Sequence, residues 1–266
     1  MQAILAIDAA WTETGGSGVA LLAKGGRSWQ CQALAPGYGA FLELANGAAV
    51  NWGAKPRGGL PDPAALLGAS RRLLGDRSPD LVTVDMPVAT VPIAGRREAD
   101  QRISKKYGQA GCSTHTPSRR RPGALGAAFA KCFSCAGFAL ATTTTAAQIV
   151  PRLVEVYPHP ALLVLMNRSF RVKYKCAKAR KYWPHAPKAV RIRKLLAEYT
   201  CILAHLRVHI RRIPHFLPTE GQVSSLAALK RYEDAVDALV CAWVGIRYLS
   251  GQIGCYGDAT AAIWTP

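Results

Sequence analysis

The first 22 residues carry the pattern that most constrains how this chain folds. Two apolar runs, over residues 3–7 and 18–23, flank a polar turn rich in glycine. Short apolar runs joined by such a turn predict a β-hairpin. A carboxylate, Asp8, directly follows the first run. Because burying an unpartnered carboxylate is costly, we expect Asp8 either to be half-solvated and structural or to face a bound ligand.

Beyond the hairpin, apolar periodicity predicts a mixture of strands and helices. Apolar runs, several rich in β-branched residues, predict strands over residues 28–34, 81–86 and 153–157. Helical spacing and capping residues predict helices over residues 63–74, about 96–106, 125–140, 161–166, 198–213 and 222–249. Residues 37–63 read as a loop because they are rich in Gly and Pro. This order predicts one α/β domain over residues 1–266, with insertions at about 88–150 and 167–218.

The charge of the chain favours a polyanionic partner. Lys and Arg number 34 against 16 Asp and Glu, for a formal net charge of +18. An excess of this size is typical of proteins that bind nucleic acid. The alternative is a generally basic surface with no specific partner.

Two basic regions, residues 105–121 and 171–194, are the predicted nucleic-acid contacts. In the second, aromatic residues lie between the basic ones, a composition that suits phosphates and unstacked bases. The alternative is a solvated helical face whose alkyl stems pack on aromatic rings. The residues predicted to contact nucleic acid are Lys105, Lys106, Ser113, Thr114, Thr116, Arg119, Arg120, Lys173, Lys175 and Lys178.

The cysteines and the N-terminus favour a cytoplasmic protein. Eight cysteines are scattered in apolar context, which favours reduced thiols over a disulfide framework. Cys132 and Cys135 form a lone CxxC pair, a weak zinc signal, and Cys201, His205 and His209 are interpreted as packing and surface residues. The N-terminus has no basic region before its apolar run, and no apolar stretch is long enough to cross a membrane. The pattern leaves the oligomeric state open.

Several of the few acidic residues stand at unusual places. Asp8 and Asp85 each end a predicted strand, and Glu155 lies inside one. Asp234 and Asp237 are three apart on a predicted helix and therefore share a face. If these carboxylates converge, they repel one another and require cations, for which Mg²⁺ or Mn²⁺ is suited. Two such ions ~3.5–4 Å apart can activate a water and stabilise the leaving oxygen of a phosphodiester.

His115 is a further candidate catalytic residue. It lies in a segment of hydroxyl-bearing residues that forms a natural phosphate contact. A histidine there could orient or protonate a leaving group. The alternative is a hydrogen-bonding surface residue without a catalytic role.

Stretches along nearly the whole chain resemble a known family. They read IDAAWTETGGSGVAL, DMP, RREADQRISKKYGQAGCSTHTPS, VEVYPHPALL, YEDAVDALVCAWVG and YGDATAAIWTP. With them the chain resembles a bacterial family of unknown function described as predicted ribonuclease H-like nucleases. Its hairpin and acidic helix are most similar to the Holliday-junction resolvase branch of that superfamily.

The resemblance implies a fold and a set of roles. The fold is an α/β ribonuclease H-like domain, in which a mixed five-stranded sheet is flanked by helices and three strands at one edge are antiparallel. The acidic cluster lies at the carboxyl ends of the strands. Asp8 and Asp85 would be metal ligands from two strands, and Asp234 and Asp237 would be ligands from the last helix. Glu155 has no firm counterpart and is either a structural acid or an additional ligand.

The expected function is a metal-dependent nuclease that uses two Mg²⁺ or Mn²⁺ ions. Its catalytic set would be Asp8, Asp85, Asp234, Asp237, Glu155 and His115. One alternative is a non-catalytic nucleic-acid-binding protein with the same fold. Another is an ATP-using enzyme of the actin and sugar-kinase type, although such proteins have a duplicated domain that this sequence lacks.

Overall fold

The computed structural model describes residues 2–56 and 58–266, which form an α/β protein. Eight strands pair into one sheet. In chain order they are β1 (Ala3–Asp8), β2 (Gly18–Gly25), β3 (Ser28–Ala35), β4 (Leu81–Val84), β5 (Arg152–Val156), β6 (Ile210–Arg211), β7 (Gly254–Gly257) and β8 (Ala262–Thr265).

Eight α-helices accompany the sheet in the described part of the chain. They are α1 (Tyr38–Ala45), α2 (Pro63–Leu73), α3 (Glu98–Tyr107), α4 (Ala124–Cys135), α5 (Pro158–Leu165), α6 (Ala179–Tyr182), α7 (Lys188–His209) and α8 (Leu226–Leu249). Helix α2 begins as expected, because the Asp62 carboxylate accepts a hydrogen bond from the Ala65 N–H at 3.0 Å and Pro63 occupies the first turn.

The sheet is mixed, with the order β6-β3-β2-β1-β4-β5-β8-β7. Strands β1, β2 and β3 form an antiparallel meander, which confirms the predicted hairpin. Strands β4 and β5 run parallel to β1, and β8 runs parallel to β5. The carboxyl ends of β1, β4, β5 and β8 therefore meet at one edge of the sheet.

The expected number of five strands is wrong. A two-residue strand, β6, pairs with β3, and the C-terminal β7–β8 hairpin extends the sheet beyond β5. A strand as short as β6 has too few residues to show an alternating pattern, and its pairing is set by tertiary contacts. The insertion boundaries proposed from the sequence stay a prediction.

Helices cover both faces of the sheet, and the sheet separates the two main apolar cores. Helices α5, α7 and α8 pack on one face, and α1, α2 and α4 pack on the other. Along β1, Ile4 and Ala6 face α8, whereas Leu5 and Ile7 face the opposite core. Since side chains alternate along a strand, Asp8 continues the row that faces α8.

Several helices differ from the sequence expectation: α6 was not predicted, α4 ends five residues early, α8 begins four residues late, and α1 and α7 differ most. Helix α1 lies within residues 37–63, which were expected to be a loop, and it is anchored by the fully buried Phe41. Arg57, in the same range, is outside the described residues. Helix α7 begins at Lys188 rather than at residue 198, because Ile192, Leu195 and Leu196 add a buried face to a basic stretch.

The long helix α8 is held against the hairpin at close range. Ser225 caps its N-terminus by accepting a hydrogen bond from the Ala228 N–H at 3.1 Å. A Cβ atom on Gly18, at the start of β2, would lie 2.0 Å from the carbonyl oxygen of Asp234. Only glycine allows this approach, which brings the acidic turn of α8 beside the end of β1.

Candidate active site

Asp8 and Asp85 lie side by side at the carboxyl ends of β1 and β4. Ile7 pairs with Val84 in the parallel register, and the Asp85 N–H donates to the Ile7 carbonyl oxygen at 2.9 Å. Neighbouring strands are ~4.8 Å apart, so the two residues that follow this pair are neighbours. The adjacency expected from the sequence for these two acids is therefore present.

Both carboxylates line a cavity of about 500 Å³, here called the main cavity. Asp8 is buried and Asp85 is half-buried. Within residues 2–56 and 58–266, no hydrogen bond or ion pair engages either side chain. Two neighbouring carboxylates thus face the cavity without a protein counter-ion in direct contact.

The environment raises the pKa values of both groups. Burial raises the pKa of Asp8 well above its usual range, and the charges of Asp237 and Asp234 raise it further. Burial also raises the pKa of Asp85 to about 7, against the opposing effect of the Lys175 ammonium. Carboxyls with raised pKa values are common at functional sites, and a bound cation would favour their charged form.

The raised pKa of Asp85 predicts a pH-dependent loss of stability. Between about pH 4 and about pH 7, the folded chain keeps a proton on Asp85 that the unfolded chain releases. The free energy of unfolding therefore falls as pH rises through this range. The Asp85→Asn variant has no such proton, so its stability relative to the unmodified chain should increase from pH 4 to pH 8. Urea denaturation with a chelator present measures the difference, and a pH-independent difference would contradict this prediction.

Asp237 lies behind the cavity wall, paired with two side chains. Its Oδ1 accepts a hydrogen bond from the Tyr174 hydroxyl at 2.6 Å, and its Oδ2 accepts one from the Lys175 ammonium at 2.5 Å. Lys175 also lies 3.6 Å from Glu233 Oε1. Burial disfavours the Lys175 cation, but Asp237 and the other acidic groups around it, including Glu233, together outweigh burial and raise the Lys175 pKa. Lys175 therefore carries a positive charge on the wall of the main cavity.

Asp234 is paired with a lysine of its own helix, Lys230. Its Oδ1 accepts a hydrogen bond from the Lys230 ammonium, which also lies 3.1 Å from Glu233 Oε1. The Oδ2 atom of Asp234 is buried and has no hydrogen-bond partner among the described residues. Burial raises the pKa of Asp234 to about 6, although Lys230 opposes the shift.

The donor set suits one hard divalent cation better than two. Mg²⁺ is commonly bound by one or two carboxylates together with substrate phosphates, which fits Asp8 and Asp85. Asp237 has both oxygens engaged, and Asp234 is paired with Lys230. In the described ranges, no group of three or more His, Cys, Asp or Glu side chains is arranged to hold a metal ion. The expected two-ion site stays a prediction.

Glu155 belongs to a buried ion network rather than to this acidic pair. Arg97 Nη2 donates to Glu155 Oε1 at 2.6 Å and to Asp100 Oδ1 at 3.0 Å. Glu155 Oε2 accepts from the Val88 N–H at 3.0 Å, and Arg97 Nη1 donates to the Val88 carbonyl at 2.8 Å. The network holds the backbone that follows Asp85, so it positions that carboxylate.

Part of the lining of the main cavity, here called the basic wall, is rich in cations. His115, Arg121 and Lys178 line it, together with the hydroxyl-bearing residues Thr114 and Thr116. Burial lowers the pKa of His115, and Lys178 and Arg171 lower it further. His115 is therefore neutral at pH 7 and able to donate or accept a hydrogen bond at the cavity.

The pair His159 and Arg171 also lines the main cavity. Arg171 lies in the basic region predicted to contact nucleic acid, whereas His159 was not identified from the sequence. Arg171 Nη2 lies 2.5 Å from His159 Nε2. A guanidinium only donates, so Nε2 accepts and the ring proton is on Nδ1. Nδ1 of His159 and Nε of Arg171 are buried without partners among the described residues. The sequence around His159 could have indicated a site residue, because this histidine lies between two prolines just after a predicted strand.

The predicted nucleic-acid contacts divide into two groups. Thr114, Thr116, Lys175 and Lys178 line the main cavity. The remainder are exposed and are not part of its wall, namely Lys105, Lys106, Ser113, Arg119, Arg120 and Lys173.

The fold and this site define a class of protein. It is an α/β protein whose mixed sheet presents a pair of acidic residues to a cavity that is also lined by basic residues. The chain belongs to the family described as Protein of unknown function (DUF429), whose model matches residues 44–261. That range contains Asp85, Asp234 and Asp237 and begins after Asp8. No curated protein and no solved structure matches the chain significantly.

Among the helices of the described ranges, none is both long and apolar enough to cross a bilayer.

Proposed function

We propose that this protein is a divalent-cation-dependent hydrolase that cleaves phosphodiester bonds of nucleic acid in the main cavity. The observation that supports this most is the pair Asp8 and Asp85, which lines the cavity with no direct counter-ion among the described residues, together with cations and hydroxyls of the same lining. In the surrounding cluster, five carboxylates face two ammonium groups, Lys175 and Lys230. A bound cation would complement the acidic pair, and a phosphodiester would complement the basic residues.

Asp8 and Asp85 would hold the cation, Mg²⁺ or Mn²⁺. Bound there, such an ion would supply a water of lowered pKa and stabilisation of the leaving oxygen. Removing either carboxylate charge would remove half of the protein ligand set.

The side chains of the basic wall would hold and orient the scissile phosphate. Lys175 and Arg171 offer fixed positive charges, and His159 Nδ1–H offers a donor that has no partner among the described residues. Such preorganised donors stabilise charge that develops on phosphate oxygens. His115, which is neutral at pH 7, would accept or supply a proton at the open side of the cavity.

We propose in addition that the fold is ribonuclease H-like. The inner strands β3-β2-β1-β4-β5 support this, since they combine an antiparallel meander with two strands parallel to β1. The exposed basic residues beyond the cavity, such as Lys105 and Lys173, would contact flanking phosphates. A cytoplasmic location is part of the proposal and is supported by eight free thiols.

The test is a cleavage assay with the full chain. Labelled single- and double-stranded DNA, RNA and four-way junctions are incubated with Mg²⁺, with Mn²⁺ and with EDTA. We expect cleavage of at least one substrate with a divalent ion and none with EDTA. Absence of cleavage with every substrate would overturn the proposal.

The same material separates the two alternatives. Salt-dependent binding of the labelled substrates without cleavage would favour a nucleic-acid-binding protein. Saturable binding of ATP with hydrolysis of its γ-phosphate, without cleavage of nucleic acid, would favour an ATP-using enzyme.

A further inference from the structure

A second cavity of about 380 Å³ adjoins the main cavity and is unexplained by the chemistry above. We call it the side groove; its walls include Pro56, Ala177, Leu226 and Ala227. The two cavities share Gly16, Ala177 and Lys230 as lining residues, so they are direct neighbours. The volume is within the range of small-molecule pockets.

The side groove contains a buried acceptor without a partner. Asp234 lines it, is 1% exposed, and has an Oδ2 atom with no hydrogen bond among the described residues. A Cβ atom on Gly16 would lie 2.9 Å from this oxygen. A buried acceptor without a hydrogen bond is costly, so a ligand that donates to Asp234 Oδ2 would be favoured. Because Gly16 has no side chain, it does not block this oxygen.

The rest of the groove is apolar with a cationic rim. Lys55, Lys230 and Arg231 supply the positive charges. Arg231 Nη1 donates to the carbonyl oxygens of Trp52 and Gly53, at 3.0 and 2.6 Å, and this holds the loop that leads to Lys55. Apolar walls, one buried acceptor and nearby cations suit an apolar ring that bears an N–H donor and is attached to a phosphate.

We propose that the side groove binds an amino-bearing nucleobase, with its exocyclic amine donating to Asp234 Oδ2. The inference rests on the proposed function, because the phosphate attached to this nucleotide would reach the main cavity past Gly16 and Lys230. It makes Asp234 a specificity residue that reads a base, in addition to its pairing with Lys230. The preferred substrates then carry adenine, cytosine or guanine beside the scissile bond.

The test is a binding titration of the full chain with single nucleotides in EDTA. The probes are dAMP, the analogue purine deoxyriboside monophosphate, which lacks the amine, and dIMP, which has a carbonyl in its place. We expect saturable binding of dAMP, and binding of the other two that is weaker by roughly ten- to a hundredfold. Equal affinity for the three nucleotides, or no saturable binding, would overturn the proposal.

Two variants make the test specific. In Asp234→Asn, the amide oxygen can keep Lys230 while the amide N–H faces the groove, so the preference should invert in favour of dIMP. Ala227→Glu places a bulky negative charge at an exposed groove residue and should abolish binding of all three nucleotides. Ala197→Glu, at an exposed position of α7, is the matched control and should bind normally. Retained dAMP preference in Asp234→Asn, or normal binding in Ala227→Glu, would contradict the proposal.

The binding experiment tests the side-groove proposal and the cleavage experiment tests the hydrolase proposal, and either result can be negative without the other. Amine-selective binding without cleavage of any nucleic acid would refute the proposed hydrolase and support the side groove as a nucleotide site. Cleavage without amine-selective binding would refute the side-groove proposal and support the hydrolase.

Discussion

Asp8→Asn should lower the rate of metal-dependent cleavage by at least ~100-fold, the upper end of what loss of a group that only supports a metal ligand costs. The substitution keeps the shape of the side chain and removes the charge that would hold the cation. It also removes a buried carboxylate whose pKa is raised, so the variant should be at least as stable as the unmodified chain. Loss of activity together with retained stability would identify a chemical role, measured by single-turnover cleavage and urea denaturation.

The control for this experiment is Asp76→Asn. Asp76 is exposed and has a positive φ of 64°, a conformation that asparagine adopts readily. The control should cleave at the rate of the unmodified chain. An Asp8→Asn variant that retained more than a tenth of the normal rate would contradict a metal-holding role for Asp8.

Arg97→Met should destabilise the protein by about 3–5 kcal/mol, the usual cost of removing one partner from a buried ion network. Arg97 and its partners Glu155 and Asp100 are all nearly buried, with at most 9% of each side chain exposed. The variant leaves both carboxylates without their cation and releases the Val88 carbonyl. Urea denaturation at pH 7 gives the change in the free energy of unfolding.

The matched control is Arg193→Met, which removes an arginine from an exposed ion pair. Arg193 contacts Glu220 at 3.0 Å, but 63% and 51% of the two side chains are exposed. Such pairs contribute about 0–1 kcal/mol. If the two methionine variants lost similar stability, the network around Arg97 would not have the structural role assigned to it.

A large part of the fold could be predicted from local sequence patterns. The hairpin of β1 and β2, the capped start of α2 and the long helix α8 all follow from apolar periodicity and capping residues. The same patterns identified Asp8 and Asp85 as residues that follow strands. These features depend on neighbours within a few residues, so a single sequence contains the information.

Other elements depended on contacts that have no local pattern. Helix α1 forms in a glycine-rich stretch because Phe41 is buried in the core, and β6 exists because it reaches β3. The two-residue length of β6 and the irregular composition around α1 give no periodicity to read. Tertiary packing therefore overrides propensity at these places.

The candidate site shows the same division. Lys230 and Asp234 are four apart on one helix, a spacing that predicts an ion pair and was overlooked. Lys175 and Asp237 are 62 residues apart, and Arg97 and Glu155 are 58 apart, so no local rule relates them. These pairs decide which acids are neutralised by the protein itself.

Periodic patterns in the sequence already place carboxylates at the ends of buried strands and on the last helix, because strand and helix periods are local properties of the chain. Contacts between distant residues determine that Asp8 and Asp85 face the main cavity with no direct counter-ion among the described residues, that Lys175 holds Asp237, and that one oxygen of Asp234 is left in the side groove. A local pattern cannot reveal these features, because the charge state and accessibility of a buried carboxylate depend on which distant cations fold against it.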